Sequence, residues 1–163
     1  MARRSFFSFH YERDCWRAGQ VRNSWLTKPD RETAGFWDSA AWEAVKKKGN
    51  AAIEKWIDDQ LNGTSVTVVL IGAETANREY VGYEITQSHK KGNGMLGIYI
   101  HNMKDAKGYT DTRGTNPFAN WQVERDGKKL LLSDMYATYD WVNDNGYSKL
   151  GDWIEAAAKK AGK

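Results

Sequence analysis

The chain has 163 residues, 40% hydrophobic and 28% charged, a composition that suits one globular domain with a buried core. Its net charge of +3 is small and its acids and bases interleave, so no nucleic-acid partner is expected; the one basic run, Lys46-Lys47-Lys48, reads as a solvated helix face. No apolar run approaches the roughly 18 residues that span a bilayer, and the basic start has no long apolar stretch behind it, so a cytoplasmic protein with neither membrane segment nor secretory signal is expected.

A single cysteine, Cys15, excludes an internal disulfide and a Cys-rich zinc site; beside Trp16 on a predicted helix it reads as a packed thiol. Residues 4–9, Arg-Ser-Phe-Phe-Ser-Phe, predict a short strand, and residues 11–25 a helix with Trp16, Val21 and Trp25 among its apolar positions. Residues 26–35, with Pro29, read as a loop, and Phe36-Trp37 as a very short apolar element followed by Asp38-Ser39. The helical period is strongest over 42–61, where Trp42, Val45, Ile53, Trp56, Ile57 and Leu61 share a face ahead of Gly63.

Residues 66–71, Val-Thr-Val-Val-Leu-Ile, carry the signature of a strand buried on both faces. A turn over 72–77, a helix over 78–91 closed by Gly92, and a second buried strand over 95–100 follow. Two such strands around one helix make a parallel βαβ unit. Residues 102–119 form a polar loop long enough to be functional, and residues 121–132 hold a strand or hairpin around 129–132. A last short strand over 139–142 and a closing helix over 151–160 complete a single domain, 1–163, with no repeat or linker.

This order predicts a flavodoxin-like, doubly wound parallel sheet in three layers, α/β/α, with its ligand cleft outside the carboxyl ends of the first and third strands. Phe9-His10-Tyr11 and Gly72-Ala73-Glu74-Thr75 leave those ends. On the following helix Asn77, Tyr80 and Glu84 fall at i, i+3 and i+7, beside a core stripe of Val81, Ile85 and Ser88. Glu84 is thereby placed between core and cleft, partly shielded, where a carboxylate can meet ligand hydroxyls or a developing positive charge. The same spacing also suits a surface glutamate in an i,i+4 contact. There is no P-loop, no Gly-x-Gly-x-x-Gly, no acid at the end of the third strand and no flavin-cradling loop after the first. His10 and His101 both follow strands without a closely spaced third ligand, so no metal is expected, and His10 reads as a hydrogen-bond donor to a ligand.

These segments resemble TIR domains. Ser5-Phe-Phe-Ser-Phe-His10 is similar to their opening strand, Phe36-Trp-Asp-Ser39 to their second strand with its Asp, and Arg78-Glu-Tyr-Val-Gly-Tyr-Glu-Ile85 to the aromatic-x-x-x-Glu helix of the NAD-cleaving members. The likeness runs over about residues 4–100 and is strongest to the bacterial ThsB-like group of Thoeris anti-phage defence. It implies that NAD is a substrate rather than a cofactor, that Glu84 is catalytic, and that Phe9, His10, Tyr11, Asp38, Asn77 and Tyr80 bind NAD. It further implies a cyclic ADP-ribose-type signal read by a separate effector protein, and a homo-oligomer. The alternative is a TIR-like module that assembles with partners without turnover. Tyr80 replaces the usual Trp, Ala41-Trp42 and a long helix replace the Gly-rich loop after the second strand, and the segment 102–119 is not typical of TIR domains of higher organisms.

Overall fold

The computed structural model describes residues 3–27, 31–34 and 39–163. Five strands form one wholly parallel sheet: β1 (Arg3–Ser8), β2 (Arg31–Ala34), β3 (Val66–Ile71), β4 (Gly94–Tyr99) and β7 (Thr138–Asp140), in the order β2-β1-β3-β4-β7. Strand order reverses between β1 and β3, the flavodoxin-like arrangement the sequence predicts. Helices α1 (Tyr11–Leu26) and α6 (Gly146–Lys160) cover one face. On the other lie α3 (Asn50–Leu61), α4 (Glu79–Lys91) and the short α5 (Leu132–Met135), with α2 (Ser39–Lys47) leading into α3.

Strand parity decides which side chain meets which layer. Phe7 and Phe9 point with Val66, Val68, Leu70, Leu96 and Ile98 into the core under α1 and α6. Phe6 packs on the opposite side against Ile57 and Leu61 of α3, and Ser8, two residues on, shares its face. The buried stripe of α4 is Val81, Glu84, Ile85 and Ser88. It includes Glu84 in the core-facing set rather than with Tyr80. The Ser88 hydroxyl bonds the Glu84 carbonyl and Thr67 Oγ1, each at 2.7 Å, locking α4 to β3.

Several sequence expectations are corrected. Residues 26–35 are not all loop, since β2 lies within them; as an edge strand of Arg-Glu-Thr-Ala it lacks an apolar run. It is held by the Trp25 indole N–H, which donates to the Glu32 carbonyl, and by Arg31 over the Trp25 ring. Phe36-Trp37 and Asp38 lie outside the described residues. The single helix over 42–61 is two, broken where Gly49 takes φ 92, a conformation that glycine alone adopts readily. Trp16 is 56% exposed and Cys15 is exposed, because the buried face of α1 runs through Asp14, Arg17, Ala18, Val21 and Trp25 instead. The last strand stops at Asp140, whose carboxylate accepts the N–H groups of Val142 and Asn143, and α6 begins five residues before the position the sequence suggests. The expected hairpin is present as β5 (Gln122–Arg125) and β6 (Lys128–Leu131), turning on Asp126 and Gly127, both at positive φ.

The polar segment 102–116 lies across the carboxyl ends of β3 and β4, held by buried charge. Arg17 donates to the carbonyls of Met103 (2.8 Å) and Tyr109 (2.9 Å) and to Asp14 Oδ1 (3.2 Å). Arg13 forms a two-point bond with Asp111, and Arg113 stacks over the Tyr99 ring. Gly72 and Gly114 make the close approach possible: a Cβ on Gly114 would strike the Gly72 carbonyl, and one on Gly72 would strike the Asp14 carboxylate. Gly72→Ala is therefore expected to lower stability by about 1–3 kcal/mol through overpacking. A urea midpoint unchanged from wild type would contradict this.

Candidate active site at the carboxyl end of the sheet

Glu84 is 2% exposed, deeper than the partly shielded position the spacing suggests. The Ser8 hydroxyl donates to its carboxylate, Oγ to Oε1 at 3.0 Å, across 76 residues of sequence. Burial pushes the carboxyl well above its ordinary range, and the Ser8 bond pulls the other way. The parity of β1 produces the contact: a serine at the last position of the strand faces α4, where a leucine would have completed the core.

Tyr80 stands one helical turn before Glu84, at the mouth of the β1–α1 turn. Its hydroxyl accepts the Tyr11 N–H at 3.0 Å and donates to the Phe9 carbonyl at 3.4 Å. Burial, then the nearby Glu84, raises its phenol to about 12, so it stays protonated. Its ring packs on Trp42, which also contacts Tyr11, both at 5.4 Å between centroids, and the Arg78 guanidinium lies over the Tyr80 ring at 5.5 Å. Phe9, Tyr11, Tyr80 and Glu84 are thus brought together. The Phe9 side chain is directed into the other core layer, so what it offers at this end is its backbone.

His10 is buried and caps α1, its Nδ1 accepting the Arg13 N–H at 3.3 Å. Burial and then Arg78 lower its pKa, favouring the neutral ring, whose Nε2 faces Glu74 Oε2 at 3.8 Å. Asn77 is not on the helix with Tyr80 but in a preceding 3-10 turn, Thr75–Asn77, and is exposed. It lines, with Tyr80, a cleft of about 380 Å³. Trp42, Tyr83, the cations Lys46 and Arg78 and the acids Glu54 and Glu79 also line that cleft. Sequence reasoning missed Ser8, Trp42 and Arg78; only the strand parity of Ser8 carried a usable signal. Among the described residues no group of three His, Cys, Asp or Glu side chains is placed to hold a metal ion, and no helix is long and apolar enough to cross a membrane. His101 is buried with Nδ1 unbonded and contacts Tyr99 edge-on, rather than pairing with His10.

The arrangement offers aromatic faces for a planar group, two cations, Lys46 and Arg78, for phosphates, and a desolvated carboxyl one turn behind Tyr80. Sheet order, cleft position and helix acid together define a TIR-like α/β protein. The sequence matches the family described as Thoeris protein ThsB, TIR-like domain, over residues 6–105. It is also 38% identical, over 191 aligned positions that cover 94% of this chain and all of the relative, to a candidate cyclic ADP-D-ribose synthase, ThsB1, of Bacillus cereus (strain MSX-D12). The chain belongs to the Thoeris ThsB TIR-like family.

Proposed function

We propose that this chain cleaves NAD between nicotinamide and ribose and closes the remaining ADP-ribose on itself, producing a cyclic ADP-ribose-type signal in bacterial anti-phage defence. The observation that carries the reading is the buried Glu84 carboxyl, bonded by Ser8, on the helix behind the Tyr80 cleft; the name of the Bacillus cereus relative supports the product class. In NAD the nicotinamide ring is cationic, so a desolvated carboxylate beside it gains the counter-charge its surroundings lack. The glycosidic bond breaks with its electron pair leaving on nicotinamide, and the carboxylate stabilises the oxocarbenium-like ribose. A nucleophilic atom of the same molecule then forms the new bond and loses its proton, while exclusion of water suppresses hydrolysis.

His10, Tyr11, Asn77, Tyr80 and Asp38 are assigned to NAD, together with the Phe9 backbone. The whole chain acts as one TIR-like unit, forms a homo-oligomer, and passes its product to a separate effector. A carboxyl so enclosed also suits a module that assembles with partners and never turns over. Mass spectrometry of nucleotides from cells expressing the protein, with and without phage, separates the two. A product with the mass of ADP-ribose less water supports the cyclase; plain ADP-ribose indicates hydrolysis; unchanged NAD under phage challenge favours the module.

Ser8→Ala removes the bond that lowers the Glu84 carboxyl. NAD consumption at neutral pH is expected to fall about tenfold, the worth of one hydrogen bond to a charged group, and to recover as pH is raised. A loss that is the same at every pH would show that Ser8 does not act through the carboxyl.

A further inference from the structure

A second cavity, about 560 Å³ and larger than the Tyr80 cleft, lies at the opposite pole of the sheet, where β4 and β7 begin. It is enclosed by the last turn of α4, the short α5 and the last turn of α6. Its size falls within the range of small-molecule sites. The space has a sequence origin. Gly94 runs against the Ala157 backbone so closely that no Cβ fits, and Ala156 and Ala157 of α6, with Ala161 just past its end, leave the room beside it unfilled.

We propose that this cavity is a second ligand site, for a small planar anion of the nucleoside monophosphate type. Its walls combine Tyr136 and Trp153, the latter stacked on Tyr139 at 4.2 Å, with the side chains of Met95 and Met135. The charged residues that line it are Arg125 and Lys160, and no Asp or Glu joins them. Lys160 is partly engaged by the Met135 carbonyl at 2.6 Å, whereas Arg125 has no ion-pair partner among the described residues. His89 Nδ1 lies 2.7 Å from the Tyr136 hydroxyl. Burial raises the Tyr136 phenol, and burial with Arg125 disfavours the imidazolium, so the two groups share this hydrogen bond as a neutral pair. The lining therefore combines two cations with aromatic surface, the combination that recognises a phosphate joined to a base.

The carbonyl ends of α4 and α6 point towards this pole and oppose an anion. They are already engaged: the Gly92 and Asn93 N–H groups close the last turn of α4, and the Ala161, Gly162 and Lys163 N–H groups close that of α6. The field left at the cavity is set by Arg125 and Lys160.

Calorimetric titration of the purified full chain with AMP, adenosine and inorganic phosphate tests the site. Saturable AMP binding is expected, weakened about tenfold or more by Arg125→Glu, with adenosine and phosphate each at least about tenfold weaker than AMP. Arg78→Glu, in the other cleft, is expected to leave AMP affinity unchanged. Arg125 is exposed on the hairpin, so its substitution is compatible with folding, which thermal unfolding verifies. Absence of AMP binding would overturn the proposal, as would binding that ignores Arg125→Glu or disappears with Arg78→Glu. Phosphate binding as tightly as AMP would overturn the aromatic half of the recognition.

Discussion

Glu84→Gln is expected to abolish NAD cleavage and, at neutral pH, to make the protein more stable. Glutamine has nearly the shape of glutamic acid and its carbonyl can still accept the Ser8 hydroxyl, so the α4–β1 contact survives. What disappears is the negative charge that would face the departing nicotinamide and the ribose cation. Removing electrostatic stabilisation of this kind lowers turnover by about 10²–10³-fold or more. The stability arm follows from linkage. Burial holds the Glu84 carboxyl well above its unfolded value, so the native state binds that proton more tightly than the unfolded chain. The wild type then loses stability as pH rises from the ordinary carboxylate range through the raised native value. Glutamine, neutral throughout, does not, so the two proteins should match in acid and diverge as pH rises. Turnover by the wild type should climb over the same interval as the carboxylate forms. Urea unfolding and NAD consumption measured against pH check both arms; wild-type consumption by Glu84→Gln would sink the catalytic assignment.

Arg17→Ala is expected to be among the most destabilising single changes in the chain, at about 3–5 kcal/mol near neutral pH. Arg17 and Asp14 are both fully inside the protein, at 2% and 0% exposure, and Asp14 Oδ2 has no hydrogen-bond partner. Burial raises the Asp14 carboxyl to about 6, with Arg17 the main opposing influence. Without Arg17 the carboxylate is an uncompensated buried charge, and the carbonyls of Met103 and Tyr109 lose their donor. Because the native Asp14 pKa is raised, its contribution is present below the ordinary carboxylate value and lost as pH rises through about 6. The penalty of Arg17→Ala should accordingly shrink below about pH 4, where Asp14 is protonated in both states. The double change Asp14→Asn with Arg17→Met should recover part of the loss by removing both charges. Unfolding midpoints at pH 4 and 7.5 distinguish this from packing loss, which would cost the same at both.

The buried strands were legible because β-branched runs have few other uses, and the helix boundaries at Gly63 and Gly92 because helices commonly end on glycine. Strand β2 was hidden because an edge strand needs no apolar run, and its partner contacts come from Trp25 on another element. Glu84 was singled out by its motif but placed on the wrong stripe. Periodicity sorts residues by polarity, and an acid on the core stripe looks like an acid on its polar border. The same bias made Trp16 look buried, while the face that is buried carries Asp14 and Arg17, a pair that satisfies part of its own burial penalty. The cleft cations were invisible for a different reason: Lys46 and Arg78 meet near Glu12 only after three segments converge.

The reach of the Arg17 side chain also bears on how the chain acquires its site. Arg17 bonds carbonyls 86 and 92 residues further along, and Ser8 meets Glu84 only once β1 lies beside β3. Closing loops of that length is entropically costly and slow relative to local helix formation. During synthesis, the first helix is complete well before its clamp residues exist. The Ser8–Glu84 pair assembles earlier than the segment that lies over the end of the sheet. A ribosome-bound chain ending near residue 100 would hold Ser8 and Glu84 without the strap across β3 and β4, so the order of emergence separates forming this buried contact from covering the end of the sheet on which it stands.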